Sequence, residues 1–230
     1  MPRKKRIKPN TTIHVNEKYR EFFYSARCIF SEKGRHIPIL KEGMFHEFIE
    51  LLLSDIDAVG KLNVFFIGIA LSGGLRQGEI FDLRVRDVEI DDGFYIINSS
   101  VLKKKDKDAR RDIVLYPLFN SLMKEFLKKK KQSDYLVAQW VFLSSRKVWI
   151  FRRLNREVIR KAISRKLGKS FSPHTFRHSF VSFLVNYAKY DSLIISKIIQ
   201  IDLKNVAFYG HIRARFKMTN LYDKKSGRES

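Results

Sequence analysis

The reading of the chain turns on residues 172–180, Ser172-Pro173-His174-Thr175-Phe176-Arg177-His178-Ser179-Phe180. A serine followed by proline suits the start of a helix, because proline is tolerated in the first turn, where its missing N–H would have no partner anyway. A helix beginning there puts His174 and Arg177, at i and i+3, on one face. Downstream, Lys204-Asn205-Val206-Ala207-Phe208-Tyr209-Gly210-His211 carries a tyrosine at 209. Upstream, Leu71-Ser72-Gly73-Gly74-Leu75-Arg76-Gln77-Gly78-Glu79-Ile80 sets Arg76 just past a glycine pair. Such a turn lets backbone approach a ligand closely, and Glu79 at i+3 can orient the guanidinium. Two arginines, a histidine and a late tyrosine suggest phosphate chemistry with tyrosine as nucleophile.

The charge balance agrees. Lys and Arg number 46 against 24 Asp and Glu, a net charge of +22 over 230 residues. The excess runs along the whole chain, so it belongs to the folded body as well as to the basic N-terminus. A small-molecule enzyme has no need of such a field. A polyanion binder does, because each neutralised phosphate releases counterions. A membrane-surface role is disfavoured: there is no lipidation motif and no cationic terminal helix with a clean apolar face. Cys28 is the single cysteine, which excludes an intramolecular disulfide and a multi-cysteine zinc site. His14, His36 and His46 are scattered without metal-ligand spacing. No apolar run reaches a membrane span and no signal core follows the basic N-terminus, so a cytoplasmic, DNA-associated protein is expected.

The hydrophobic content, 44%, allows one substantial core. The expected fold class is α+β and mainly helical, with a small three-stranded antiparallel sheet. Spacing predicts helices over 12–34, Lys41–Ser54, Ala58–Leu71 and Gln77–Leu83. Asn16 is a candidate cap for the first, and Gly34 to Pro38 breaks it. Strands are predicted over Val85–Ile90, Phe94–Asn98 and Asp112–Tyr116, joined by Asp91-Asp92-Gly93 and by a basic loop over Val101–Arg111. A helix follows from Pro117. Tyr135–Phe142 is ambiguous between helix and strand. Trp149–Leu167 is predicted as a cationic helix, with Leu154, Val158, Ile159 and Ile163 inward and Arg152, Arg153, Arg156 and Arg160 available to DNA phosphates. Helices over 173–187, 191–199, 204–209 and 213–222 complete the chain. The expected division is a basic arm and short helix at 1–36, then one catalytic domain at 37–230.

Tyrosine attack on a phosphodiester sets a minimum inventory. The transition state gathers charge on the nonbridging oxygens, which suits two guanidinium groups. The departing 5′ oxygen needs a proton, which a lysine can give. The phenol must lose its own proton as it attacks. Gly74-Leu75-Arg76 with Glu79 and Leu83, then His174-x-x-Arg177-His178, then Tyr209-Gly210-His211, resembles the tyrosine recombinases, the phage integrase family. The resemblance covers roughly Ile37 to Tyr222, and the ordered set is specific although each part alone is weak.

The resemblance implies the family's catalytic domain and roles for individual residues. Arg76 is the first catalytic arginine, His174 and Arg177 the central pair, and Tyr209 the nucleophile that forms a 3′-phosphotyrosyl link. The catalytic lysine falls within Lys103-Lys104-Lys105. Alignment with Lys107 and Arg110 favours Lys104 and leaves Lys103 and Lys105 open, with Lys103, Lys105 and Lys107 counted as DNA contacts. Two features depart from the family pattern. The second histidine, or tryptophan, is replaced by Gln200, which can hydrogen-bond a phosphate oxygen but does not titrate. About 35 residues precede the catalytic domain, too few for the usual core-binding domain, as in the short fimbrial-switch invertases. Tyr222, in Asn220-Leu221-Tyr222-Asp223, is the rival nucleophile, but it lies later and lacks the following Gly-His. The implied partners are double-stranded DNA, further copies in a homotetramer on paired sites, and an accessory DNA-bending protein. No cofactor or metal is implied, because the phosphotyrosyl bond conserves the energy of the phosphodiester. A type IB topoisomerase-like enzyme and a recombinase-derived DNA-binding protein are the alternatives.

Overall fold

The computed structural model describes residues 15–27, 36–100, 110–128, 130–143, 145, 148–153, 156–188, 190–199 and 206. Its helices are α1 (Glu17–Arg20), α2 (Phe45–Ser54), α3 (Ile56–Val59), α4 (Lys61–Gly73), α5 (Gln77–Asp82), α6 (Asn120–Leu127), α7 (Arg156–Leu167), α8 (Pro173–Asn186) and α9 (Ser192–Ile199). Its strands are β1 (Phe23–Arg27), β2 (His36–Leu40), β3 (Val88–Asp91), β4 (Phe94–Ser100), β5 (Arg110–Val114), β6 (Ala138–Leu143) and β7 (Val148–Arg153). The class is α+β and mainly helical.

The helix α4 is the axis of the fold. Its residues Val64 to Leu71 are apolar on every side and buried, as a helix must be when other elements surround it. Phe65 stacks on Phe126 of α6 at 4.3 Å. Phe48 of α2 meets Phe23 edge-on at 5.0 Å, and Phe23 in turn meets Phe171 at 4.8 Å. Fully burying each such ring contributes roughly 1.5–3 kcal/mol. The last residue of α4, Gly73, lies so close to β5 that a Cβ there would stand 2.5 Å from the Ile113 side chain. Gly74 then caps the helix in the left-handed region, φ 57°. A Cβ on Gly74 would stand 2.5 Å from the Phe180 ring of α8. The glycine pair therefore serves two close approaches and one turn of backbone. A smaller cluster of Val181, Leu184, Val185, Ile195, Ile199 and Val206 joins α8 to α9.

Strands β3, β4 and β5 form the expected three-stranded antiparallel sheet, with β4 in the middle. The Asp91-Asp92-Gly93 turn has positive φ at Asp92 (45°) and Gly93 (79°), the pairing that matches a two-residue hairpin to strand twist. Pairing runs out to Ser100 opposite Arg110, which brackets the basic loop. The loop residues 101–109, including Lys103, Lys104, Lys105 and Lys107, lie outside the described residues.

Four expectations are corrected. Among the described residues of 12–34 the only helix is α1, followed by β1 paired antiparallel with β2, Phe23 opposite Leu40. The run Phe22-Phe23-Tyr24 is aromatic and strand-prone, and Phe23 enters the core beside Phe48 and Phe171. Asn16 does cap α1, accepting from Lys18 N–H at 3.2 Å and donating to the Lys166 carbonyl at 3.1 Å. The expected helix Trp149–Leu167 splits into β7 and α7. Val148-Trp149-Ile150-Phe151 finds an equally β-prone partner in Ala138–Leu143, and cross-strand pairing outweighs the helical spacing. Arg152 and Arg153 therefore lie on β7 and not on the helix that carries Arg156 and Arg160. Val158, expected inward, is 50% exposed, whereas Ile159 and Ile163 are buried. The first predicted strand is also shortened, since Val85–Asp87 is a 3₁₀ turn before β3.

Candidate active site

Arg76 occupies the N-cap of α5 with extended backbone. Its N–H donates to Glu79 Oε2 at 2.7 Å, and its Nη1 donates to Glu79 Oε1 at 2.8 Å. One carboxylate thus satisfies an orphan amide of the helix start and aims the guanidinium. Glu79 is fully buried, while the Arg76 side chain keeps 23% of its surface exposed.

Arg177 reaches the same place from α8. The helix starts as expected, with Ser172 as N-cap and Pro173 in the first turn. This sets His174, which is exposed, one turn before Arg177, which is 7% exposed. Arg177 Nη1 donates to the Gly74 carbonyl, two residues before Arg76, and its Nη2 donates to the Ile199 carbonyl at 3.3 Å. The two arginines read from the sequence are thereby brought to one junction of α4, α5, α8 and α9. The start of α7 adjoins it, because Gln77 Nε2 donates to the Arg156 carbonyl at 3.2 Å. Arg160, one turn on, pairs with Glu157 at 2.6 Å and is half exposed. Gln200, Tyr209, His211 and Tyr222 lie outside the described residues, as does most of the chain beyond Ile199. Of the scattered histidines, His46 is exposed and meets Tyr116 and Glu50. No cluster of three or more His, Cys, Asp or Glu side chains among the described residues could hold a metal. No helix among them is long and apolar enough to cross a membrane.

One buried group escaped the sequence reading. Arg111 of β5 is 7% exposed and donates to Glu79 Oε2 at 3.1 Å and to the Ile198 carbonyl at 2.9 Å. The signal was present: Arg111, Ile113 and Leu115 alternate on the inward face, and an arginine there demands a buried carboxylate. Burial pulls its guanidinium below the ordinary arginine range, Glu79 opposes that, and the Arg76 charge adds to it.

The profile of the phage integrase family matches residues 45–212. The chain belongs to that family. Among curated phage integrase relatives, tyrosine recombinase XerA of Thermococcus kodakarensis is 26% identical over 153 residues, 64% of this chain and 49% of that protein. Tyrosine recombinase XerC of Natranaerobius thermophilus is 24% identical over 207 residues, 87% of this chain and 67% of its own. The chain thus spans about half to two thirds of the length of these relatives. The post-cleavage complex of XerH recombinase with palindromic difH substrate has the same fold, with TM-score 0.55 at 23% identity over 80% of this chain and 52% of that one. The three-stranded sheet, the glycine-turn arginine and the His-x-x-Arg helix are thus parts of a phage integrase catalytic fold.

The helix that carries His174 also gives this family member an acid-sensitive point. Burial holds the His178 imidazole down to about 4 from an ordinary 6.5, and the charges of His174 and Arg177 reinforce it. The unfolded chain takes up this proton near pH 6.5, whereas the folded chain resists until about pH 4. Stability is therefore full above the unfolded value and lost as pH falls through that window, with a slope approaching roughly 1.4 kcal/mol per unit. Denaturant titrations at pH 7, 5.5 and 4.5 should show this loss in the wild type and a flatter profile in His178→Gln. An equally steep acid limb in the variant would assign the loss to other groups.

Proposed function

We propose that this chain is the catalytic part of a site-specific recombinase that cuts and rejoins double-stranded DNA through a 3′-phosphotyrosyl intermediate. The observation that carries the reading is the meeting of Arg76 and Arg177 at the Gly74 turn, with the exposed His174 one helical turn away. Two guanidinium groups at one junction suit the charge that gathers on a pentavalent phosphorus. In the proposed step, the Tyr209 phenolic oxygen bonds to phosphorus as the bond from phosphorus to the 5′ oxygen breaks. The phenolic proton passes to His174, and a proton from Lys104, or from Lys103 or Lys105, goes to the departing 5′ oxygen. A second 5′ hydroxyl reverses the step and rejoins the strand. Gln200 would donate to a nonbridging oxygen. The bond energy is kept in the phosphotyrosyl link, so the chemistry calls for no nucleotide or metal.

DNA would lie along the basic surfaces of Arg156 and Arg160, with Lys103, Lys105, Lys107, Arg152 and Arg153 as further phosphate contacts. The working species is proposed to be a homotetramer on paired sites in the cytoplasm, with an accessory DNA-bending protein where the site requires it. Gln200 in place of a second imidazole favours one rival reading, a DNA-binding descendant without catalysis. A nicked suicide substrate bearing the repeats that flank the gene decides between them. A covalent adduct is expected, and its absence with intact binding would favour the rival. Binding itself should weaken steeply with salt, with a log–log slope on the order of −4 or steeper. A slope near −1 would sink the extended DNA face.

A further inference from the structure

Glu79 carries two guanidinium groups, and only one of them can meet DNA. Arg76 is partly exposed, whereas the Arg111 side chain is 5% exposed and reaches nothing outside the fold. We propose that Arg111 is a positioning residue for catalysis: it ties β5 to the end of α9 and, through Glu79, holds the Arg76 guanidinium at the phosphate site. This rests on the recombinase reading above.

Three observations carry the proposal. The first is cost. Arg111 gives up hydration, and its Nε is buried with no hydrogen-bond partner among the described residues. An apolar side chain at such a site is often as stable or more so, so stability alone does not account for an arginine that is incompletely satisfied. The second is charge. A lone carboxylate on Arg76 would cancel much of its field, but with Arg111 on Oε2 the triad keeps one net positive charge, whose open side is Arg76. The third is connection. Arg111 and Arg177 hold two successive carbonyls, Ile198 and Ile199, at the C-terminal end of α9. Those carbonyls belong to the last turn that α9 has among the described residues, where a guanidinium suits the carbonyl end of a helix. Arg111 thereby links three segments, one from each part of the proposed machinery: the Arg76 turn, the strand that follows the lysine loop, and the helix that precedes Gln200.

The test uses the full chain with Arg111→Met, Arg111→Lys and the double variant Glu79→Gln, Arg111→Met, which removes the charge otherwise left buried. At saturating suicide substrate, R111M should lower the first-order cleavage rate on the order of 100-fold, the scale of a small misplacement of a catalytic group. DNA affinity should change less than about threefold, a split that a general loss of structure would not give. R111K should recover only part of the rate, because a single ammonium cannot span Glu79 and Ile198 together. The double variant should be no slower than the slower of R111M and Glu79→Gln made alone, since both act through one network. In hydrogen exchange, R111M should speed the amides of 192–199 and leave 176–184 unchanged, whether or not the protein cleaves. An unaltered cleavage rate, equal losses of rate and affinity, or unaltered exchange in α9 would each overturn the proposal. If the wild type forms no adduct while its α9 exchange responds to R111M, the tie stands and the recombinase reading fails.

Discussion

Tyr209→Phe is expected to abolish covalent protein–DNA adducts on a nicked suicide substrate, a loss of roughly 10⁴-fold or more in cleavage. The substitution keeps the ring and removes only the oxygen that must bond to phosphorus. No other group in the proposed step can supply that oxygen, so the effect should be close to complete and the thermal midpoint should hardly move. Tyr222→Phe should leave adduct formation intact. Mass spectrometry of the trapped wild-type adduct reads the outcome directly: a nucleotide on Tyr222 would overturn the assignment, as would undiminished adducts from the phenylalanine variant at 209.

The second large effect is expected at Glu79. Glu79→Ala removes the one carboxylate shared by Arg76 and Arg111 and the acceptor for the Arg76 amide. Breaking a buried pair from one side leaves uncompensated charge, which typically costs about 3–5 kcal/mol. Part of that cost will be relieved at Arg76, which can turn to water, but not at Arg111. Urea unfolding should show a lower midpoint with an unchanged m-value. Any folded fraction should cleave DNA roughly 10²- to 10³-fold more slowly, because Arg76 loses its aim. A destabilisation below about 1 kcal/mol would mean that this network does not hold the α5 turn.

Legibility in the sequence followed the range of the forces involved. Capping and turn chemistry is local, so Asn16, Gly73-Gly74, Asp92-Gly93 and Ser172-Pro173 could all be read one at a time. Where two β-prone runs compete with helical spacing, the decision lies in a partner far along the chain. That is why spacing alone predicts helix over Phe23–Arg27 and Trp149–Arg153: each becomes a strand only because 36–40 or 138–143 is there to pair with it. The site divides in the same way. Arg76 with Glu79 is an i to i+3 relation and was visible. Arg177 with the Gly74 carbonyl was foreseen only as membership of one constellation. Arg111 was missed, although its inward position in the alternation could have exposed it, because its partners come from α5 and α9.

The capping of α1 bears on the order in which the chain can be made. Asn16 closes its contact with Lys166 across 150 positions, and the Phe23 ring waits for Phe171 in the same way. On a ribosome, the first segment of the core emerges long before these last two partners. Tyr19, Phe22 and Phe23 can meet Phe48 early, and β1 can pair with β2, but the side of Phe23 that faces Phe171 and the Asn16 contact with Lys166 are closed only late. The nascent chain therefore carries one uncovered side of the Phe23 ring for most of its time in translation, which is the period when a holdase has something to bind.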